Sequence, residues 1–446
     1  MSRRDATIIW YAAVRAVSPG ALVGRTVAVE GDRLVAGPHT FDLRKIDRVA
    51  VIGAGKAGRP MAEAIESVLG KRLMVAKKLQ GWVNVLDEDA GRLSRVVLHG
   101  SRQAASPLPT PRGVRGTKAM LNIVRSLGPS DLAICLLSGG GSAMMPAPVP
   151  EVPLGAKRQV TGLLSKAGAT IGQLNAVRKH LSQVKGGRLA EACLAGTLLC
   201  LIISDVVGDR LDTIASGPTV ADETTFADAL RVFSDLGVSD RVPPEVMNHI
   251  RKGVLGRVED TPKHTSPIVR NLVIGSNAIA IRAAEAKARE LGYGVLNLGS
   301  YLEGEAKEVG VVLASLALSI KRDGRPLRPP VCLLAGGETT VSRVAPGGKG
   351  GRNQELILAA VNHLQERGMD GILMLSGGTD GEDGPTDAAG AIANERTLAS
   401  VRQLGLVPRH YLERSRSYDF FARAGGHLKT GPTGTNVMDV CVILVR

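Results

Sequence analysis

Short apolar runs rich in Val, Ile and Leu recur along the chain, each ending abruptly in Gly, Ser or Asp before helix-like sequence resumes. They are VAVIGAGKAG (49–58), LAICLLSGGGSA (132–143), LLCLIISDVVGD (198–209), NLVIGSNAIA (271–280), VCLLAGGETTV (331–341) and ILMLSGGTDG (372–381). Runs without polar alternation mark strands buried on both faces, and intervening segments such as AIAIRAAEAKARELG (278–292) have helical periodicity. The predicted class is α/β, with parallel sheets covered on both sides. In such sheets ligands bind outside the carboxyl ends of the strands, where these Gly, Ser and Asp loops must lie.

Pro- and charge-rich stretches at 239–267 and 321–330 are the best boundaries. They predict a larger domain over residues 1–265 and a smaller one over 266–446, with the final run VMDVCVILV (437–445) assignable to either. The N-terminal sequence MSRRDATIIWYAAVRAV reads as an amphipathic helix, because Asp5 and Arg15 interrupt its apolar run and no cleavage signal follows. No apolar run approaches the roughly 20 residues of a membrane span. The five cysteines lack C-x-x-C spacing and sit mostly in apolar runs, which predicts buried thiols and a cytoplasmic protein. A net charge of +14 suits anionic ligands; with 3% aromatics and Lys and Arg dispersed, it does not suggest nucleic-acid binding.

Candidate chemistry gathers in the loops. GAGKAG (Gly53 to Gly58) matches the dinucleotide fingerprint G-x-G-x-x-G, yet the acidic residue expected after the second strand is replaced, in RLMVAKK, by Lys77 and Lys78. Lys56 within the loop favours an anion. SGGGSA offers unobstructed N–H groups and hydroxyls at Ser138, Gly139, Gly140, Gly141 and Ser142, which resembles a phosphate cradle without the P-loop spacing. NAVRKHLSQVKGGRLA (175–190) places Asn175, Arg178 and Lys185 in a basic segment whose alternative is a solvated helix, and His180 there reads as structural. Asp205 follows six apolar residues at a strand tip, where it can bind a metal, accept a proton or cap a helix. Arg352 in GGKGGRNQE can clamp phosphate or carboxylate. TGPTGTN, with Thr433 and Asn436, suits phosphate or sugar oxygens.

The most acidic loop is SGGTDGEDGPTDAAG (376–390), with Asp380, Glu382, Asp383 and Asp387 among five glycines. Its spacing fails the calcium-loop pattern, because Gly384 and Ala391 fall where ligands are required. A magnesium or hydroxyl-handling site at a strand end remains. Cationic loops together with a carboxylate loop describe phosphoryl transfer.

These loops, in this order, resemble the class II glycerate 2-kinases, whose C-terminal half is the MOFRL domain. The matching segments are GAGKAG, LLSGGGSA, NAVRKHLSQVKGGRLA, ISDVVGDRLDTIASGPT, GGETTV, GGRNQE, GTDGEDGPTDAAGA and TGPTGTN, spread over about residues 50 to 440. The resemblance implies a Rossmann-like N-terminal domain, a smaller α/β MOFRL domain and a site in the cleft between them. It implies ATP-dependent phosphorylation of the 2-hydroxyl of D-glycerate with magnesium or another divalent cation, and small-molecule partners only, in a monomer or homodimer. Lys56 and Arg352 become catalytic cations, with Asp205 added as base or metal ligand from its strand-tip position. Gly53, Gly55, Ser138 to Ser142, Gly336, Gly337, Glu338, Thr433 and Asn436 become nucleotide or phosphate contacts. Asn175, Arg178 and Lys185 become substrate contacts, and Asp380, Asp383 and Asp387 metal candidates. The alternative is a nicotinamide-dependent hydroxypyruvate reductase. Three departures stand out: SPLPT (106–110) where the family often has H-P-x-P-D, Gln173 for a usual Glu, and Glu382 for an apolar residue.

Overall fold

The computed structural model describes residues 3–446 except 105, 107 and 343, so Pro107 of the SPLPT departure lies outside the described residues. By compactness the chain forms two units: Pro19–Ile274, and the described residues up to Ser18 together with Gly275–Arg446.

The first unit opens with a small antiparallel sheet of β1 (Val27–Glu30), β2 (Arg33–Ala36) and β3 (His39–Asp42). Its main sheet contains β4 (Val49–Ala54), β5 (Gln80–Leu86), β6 (Gly91–Arg92), β7 (Val96–Arg102), β8 (Leu132–Leu137), β9 (Thr197–Ile203) and β10 (Val269–Gly275), ordered β10-β9-β8-β4-β5-β7-β6. Every residue of β4 and β8 is buried, as strands covered on both faces require. β4 pairs in parallel with β5 on one side and β8 on the other. The chain travels outward through β5 and β7, then returns to β8 and β9, so strand order reverses between β4 and β8. Crevices at such switch points bind ligands, and Ala54 and Leu137 lie in register there.

The second unit contains β11 (Gly294–Asn297), β12 (Val331–Gly337), β13 (Ile372–Gly378), β14 (Gly390–Ala393), β15 (His427–Leu428) and β16 (Asp439–Val445), ordered β11-β12-β16-β13-β14-β15. This sheet is not the all-parallel one the apolar runs predict: β16 lies antiparallel between β12 and β13. Burial on both faces fixes hydrophobicity but not direction, which explains the difference. The register pairs Asp439 with both Gly337 and Gly378. The first residue of β16 therefore sits between the carboxyl ends of two strands whose following loops carry Glu338 and Asp380.

The helix Arg3–Ala16 also belongs to this unit. Its Ala6, Ile9, Trp10 and Ala13 are fully buried, and Trp10 Nε1 donates to Gly377 O at 3.2 Å. Among the described residues no single helix is long and apolar enough to cross a membrane. All five cysteines are buried and free. Truncating the buried indole, as in Trp10→Ala, is expected to cost about 3–5 kcal/mol. Thermal unfolding checks this; an unchanged Tm would contradict a core role for the helix.

Candidate functional site

In the first unit the two glycine loops are laced together beyond β4 and β8. Lys56 N donates to Gly139 O at 2.9 Å, and Ala57 N donates to Ser138 Oγ at 3.0 Å. Gly55 has φ +149°, and a Cβ there would collide with the Ser138 side chain, so only glycine allows the approach. The structure thus brings Gly53, Gly55, Lys56 and Ser138 to Ser142 to one switch point.

A second layer supports this loop. Lys185, 2% exposed, donates through Nζ to Ser142 O and Ser142 Oγ, each at 2.9 Å, and to Ala215 O at 3.2 Å. Ser142 Oγ lies 2.9 Å from Ser216 Oγ, which donates to Asn175 Oδ1 at 3.1 Å. Burial, then the neighbouring charges of Lys157 and Arg178, holds the Lys185 pKa well below its ordinary value. Burial likewise lowers that of Arg178. Ala215, Ser216 and Gly217 have φ of 51°, 61° and 62°, a local strain maintained by these contacts. Ser216 was not singled out in the sequence, although it lies within the matching segment ISDVVGDRLDTIASGPT.

Asp205 follows β9, half-buried, two residues before the short turn Val207–Asp209, whose N-cap is Val206. His180 is structural, with Nε2 2.8 Å from Asp260 and Nδ1 2.6 Å from Ala176 O. Gln173 completes a capping box with Thr170, a position where Gln and Glu are interchangeable.

The second strand ends later than RLMVAKK suggests. Lys77 and Lys78 follow the helix Gly58–Ala76 instead of ending the second strand. The strand is β5, and the residue after it is Asp87, whose Oδ2 pairs with Arg112 Nη1 at 3.1 Å. An acidic residue does follow the second strand, at a longer spacing than the fingerprint, so the lysines are no argument against a nicotinamide cofactor.

In the second unit the site is a network around the start of the helix Arg352–Leu364. Arg352 donates through Nε and Nη2 to the two Asp439 oxygens at 2.6 and 3.0 Å, and through Nη1 to Glu338 Oε1 at 2.6 Å. Burial alone would lower the Arg352 pKa, but Asp439, then Glu338 and Asp383, carries it above its ordinary value. Asp439, missed by the sequence reading, also accepts from Asn353 Nδ2 at 2.9 Å. Its one sequence signal is a charge opening an otherwise apolar strand.

Asp383, 2% exposed, caps this helix from a distant loop. It accepts from Asn353 N at 3.0 Å, Gln354 N at 2.9 Å, Asn353 Nδ2 at 3.2 Å and Gln354 Nε2 at 2.9 Å. The N-cap residue itself is Gly351, which has no side-chain acceptor, and a Cβ there would occupy the Asp383 carboxylate. Asp387 is instead tied to Lys429 and Tyr418 OH, each at 2.7 Å, and those bonds lower its pKa to about 2.

Asp380, Asp383 and Asp387 therefore do not fit a shared magnesium. Asp383 is saturated by N–H donors, Asp387 is neutralised by Lys429, and the described residues contain no group of three or more metal-binding side chains. Glu382 is exposed. The loop with Thr433 and Asn436 braces its neighbours: Thr433 N donates to Asp380 O at 3.1 Å, and Asn436 Oδ1 accepts from Met438 N at 3.0 Å. Gly336 and Gly337 end β12 beside Asp439.

Glycine loops, buried cations and capped helix starts at the carboxyl ends of two covered sheets define an α/β protein built to handle small anions. The family described as "Domain of unknown function (DUF4147)" matches residues 5–251, and the MOFRL family matches residues 331–439. Glycerate 2-kinase of Pyrococcus horikoshii is 40% identical, over 97% of this chain and 95% of its own. The crystal structure of glycerate kinase from Thermotoga maritima superposes with a TM-score of 0.84 at 36% identity, covering 99% of each chain. An Agrobacterium vitis relative, 38% identical over 93% of this chain and 91% of its own, bears a provisional hydroxypyruvate reductase name. The chain belongs to the class II glycerate 2-kinase family, with its MOFRL domain toward the C-terminus.

The capping role of Asp383 makes a prediction. Asp383→Ala strands two first-turn N–H groups, at an expected cost of about 1–3 kcal/mol. Burial raises the Asp383 pKa to about 6, against the opposing backbone N–H donors. Because that value lies above the unfolded one, the stabilisation from its proton is complete below the ordinary aspartate range and is lost as pH rises through about 6. Denaturation of the wild type and variant should show a wider stability gap at about pH 5 than at about pH 8. A gap that widens toward alkaline pH would show that the N–H donors, and not burial, set the pKa of this carboxylate.

Proposed function

We propose that the chain is an ATP-dependent D-glycerate 2-kinase. The 2-hydroxyl oxygen of D-glycerate bonds to the terminal phosphorus of ATP, the bond to the leaving ADP oxygen breaks, and the hydroxyl proton passes to a base. The products are 2-phosphoglycerate and ADP. The carrying observation is the near-full-length match to proteins named glycerate 2-kinase. The laced loops at the β4/β8 switch point support it by supplying a phosphate cradle.

In this reading Lys56 and the Ser138 to Ser142 loop hold phosphate oxygens, with Lys185 fixing Ser142 from behind. Asn175 and Arg178 face substrate, and Arg352 is a second cation for phosphate or carboxylate. Asp205, half-buried beyond β9, is the proposed base. A divalent cation enters as part of the metal–ATP substrate, and no step is assigned to Asp380, Asp383 or Asp387 as its ligands. ATP and D-glycerate are the only partners this chemistry requires.

The test is ATP- and magnesium-dependent ADP release with D-glycerate, the product passing to enolase without phosphoglycerate mutase. Signal through enolase is expected; ADP without it would move the reaction to another hydroxyl, and no ADP would overturn the reading. A titration with NADH separates the reductase alternative, for which binding is required. Lys56→Ala should lower turnover about a hundredfold or more without altering Tm, as removal of a transition-state cation does.

A further inference from the structure

Arg178 differs from the cations around it. Lys179, its neighbour in the chain, pairs with Asp222 at 3.1 Å, and both side chains are buried. Arg188 donates to Ser182 O and Glu259 O at 3.1 and 2.9 Å, and carboxylates, Glu191 first, act on its charge. Among the described residues none hydrogen-bonds or pairs with the half-buried Arg178 guanidinium, and burial lowers its pKa with no carboxylate in opposition. Its charged neighbours are Lys157 and Lys185, whose own pKa values it helps to depress. Cations gathered out of water without a counter-charge are unfavourable until an anion joins them.

One turn earlier on the same helix, Asn175 is 5% exposed. Its Oδ1 accepts from Ser216 Oγ, whereas among the described residues nothing accepts from its Nδ2, which is not sealed from solvent. A hydroxyl chain orients this amide. Ser142 Oγ receives an N–H from Lys185 and passes its own proton to Ser216, which passes one to Asn175. The amide atom facing Ser216 is then the acceptor, and Nδ2 turns the other way. Ser216 is kept at its strained φ of +61° by the adjoining segment: Gly186 N donates to Ser216 O at 3.1 Å and Gly187 N to Gly217 O at 2.7 Å, beside the Lys185 bond to Ala215 O.

On the kinase reading above, we infer that Arg178 and Asn175 bind the carboxylate of the 2-hydroxy acid, and that Ser216 is a positioning residue acting through Asn175. Residues three apart on a helix share a face, so the guanidinium and the amide nitrogen present donors together. A planar guanidinium matches a carboxylate with two parallel bonds. Ser142 belongs to the loop offered for phosphate, and only the Ser216 hydroxyl lies between it and Asn175, through bonds of 2.9 and 3.1 Å. A ligand spanning the two holds its carboxylate close to the phosphate. A 2-hydroxy acid does so, because its charge sits on the carbon next to the reacting hydroxyl. The site therefore selects small 2-hydroxy acids and rejects neutral polyols, whose hydroxyls leave the cations uncompensated.

Paired titrations test the assignment. Calorimetry on the full-length protein compares D-glycerate with methyl D-glycerate, which keeps the hydroxyls and loses the charge. The wild type should bind the acid more tightly by about thirtyfold or more, the usual scale for a desolvated charge pair. In Arg178→Gln that preference should fall to about threefold or less, with inorganic phosphate bound within about twofold of wild type. Asn175→Asp sets a negative charge against the carboxylate and should abolish acid binding while sparing the ester. Ser216→Ala should reduce the preference in the same direction by a smaller factor. A merely structural role would weaken acid and ester together in all three variants, and that result overturns the assignment. So does a wild type that binds acid and ester alike or binds neither, an unchanged preference in Arg178→Gln, or phosphate binding lost as far as acid binding. If Arg178→Gln fails to fold, Arg178→Lys and Asn175→Asp are judged by the same ratio. The titrations need no turnover, so absence of ADP release in the wild type would remove the kinase reading and leave the carboxylate site to the acid and ester comparison.

Discussion

The second unit is organised by one buried carboxylate. Asp439 can be buried beside Gly337 and Gly378 only because Arg352 and Asn353 compensate it, and those two residues are available only where the helix they begin is capped. Asp383 supplies that cap from the acidic loop, and Gly351 leaves room for it. The loop's many glycines let its backbone approach that of its neighbours: Gly384 lies against Gly350, and Gly381 against Gly431. Carboxylates on a glycine-rich loop of a basic protein thus have a physical cause. They hold a helix start and, through it, a guanidinium.

The first unit solves the same problem with the opposite charge. A buried lysine is unfavourable unless its donors are satisfied, and Lys185 is satisfied by Ser142 and by the strained turn at Ala215. The Ser138 to Ser142 loop is therefore held in place by contacts within the protein. If the loop binds phosphate as proposed, its donors need no reorganisation during the reaction.

Much of this was legible in the sequence. Six apolar runs ending in Gly, Ser or Asp marked strands and placed loops at their carboxyl ends, and five of those loops carry residues of the two networks. Direction was not legible: VMDVCVILV has the same apolar pattern whether it runs parallel or antiparallel, so the central position of β16 and the role of Asp439 were hidden. The acidic loop misled for a related reason. Spacing shows that carboxylates are near one another along the chain, but not that one turns inward to cap a helix and another outward to Lys429. Lys77 and Lys78 were misplaced because the helix before β5 runs longer than its apolar pattern suggests, and its continuation past Gly70, where φ is +66°, has no sequence marker.

The most direct test of the central claim, that Asp439 and Asp383 preset the geometry of Arg352 and not merely its charge, is the turnover of Arg352→Lys. A lysine keeps the positive charge but cannot span both Asp439 oxygens and an anion at once. The account predicts a loss of kcat/KM of about a hundredfold or more in ATP-dependent phosphorylation of D-glycerate, with Tm close to wild type. Near-normal turnover by the lysine variant would show that a point charge suffices, and would contradict the account.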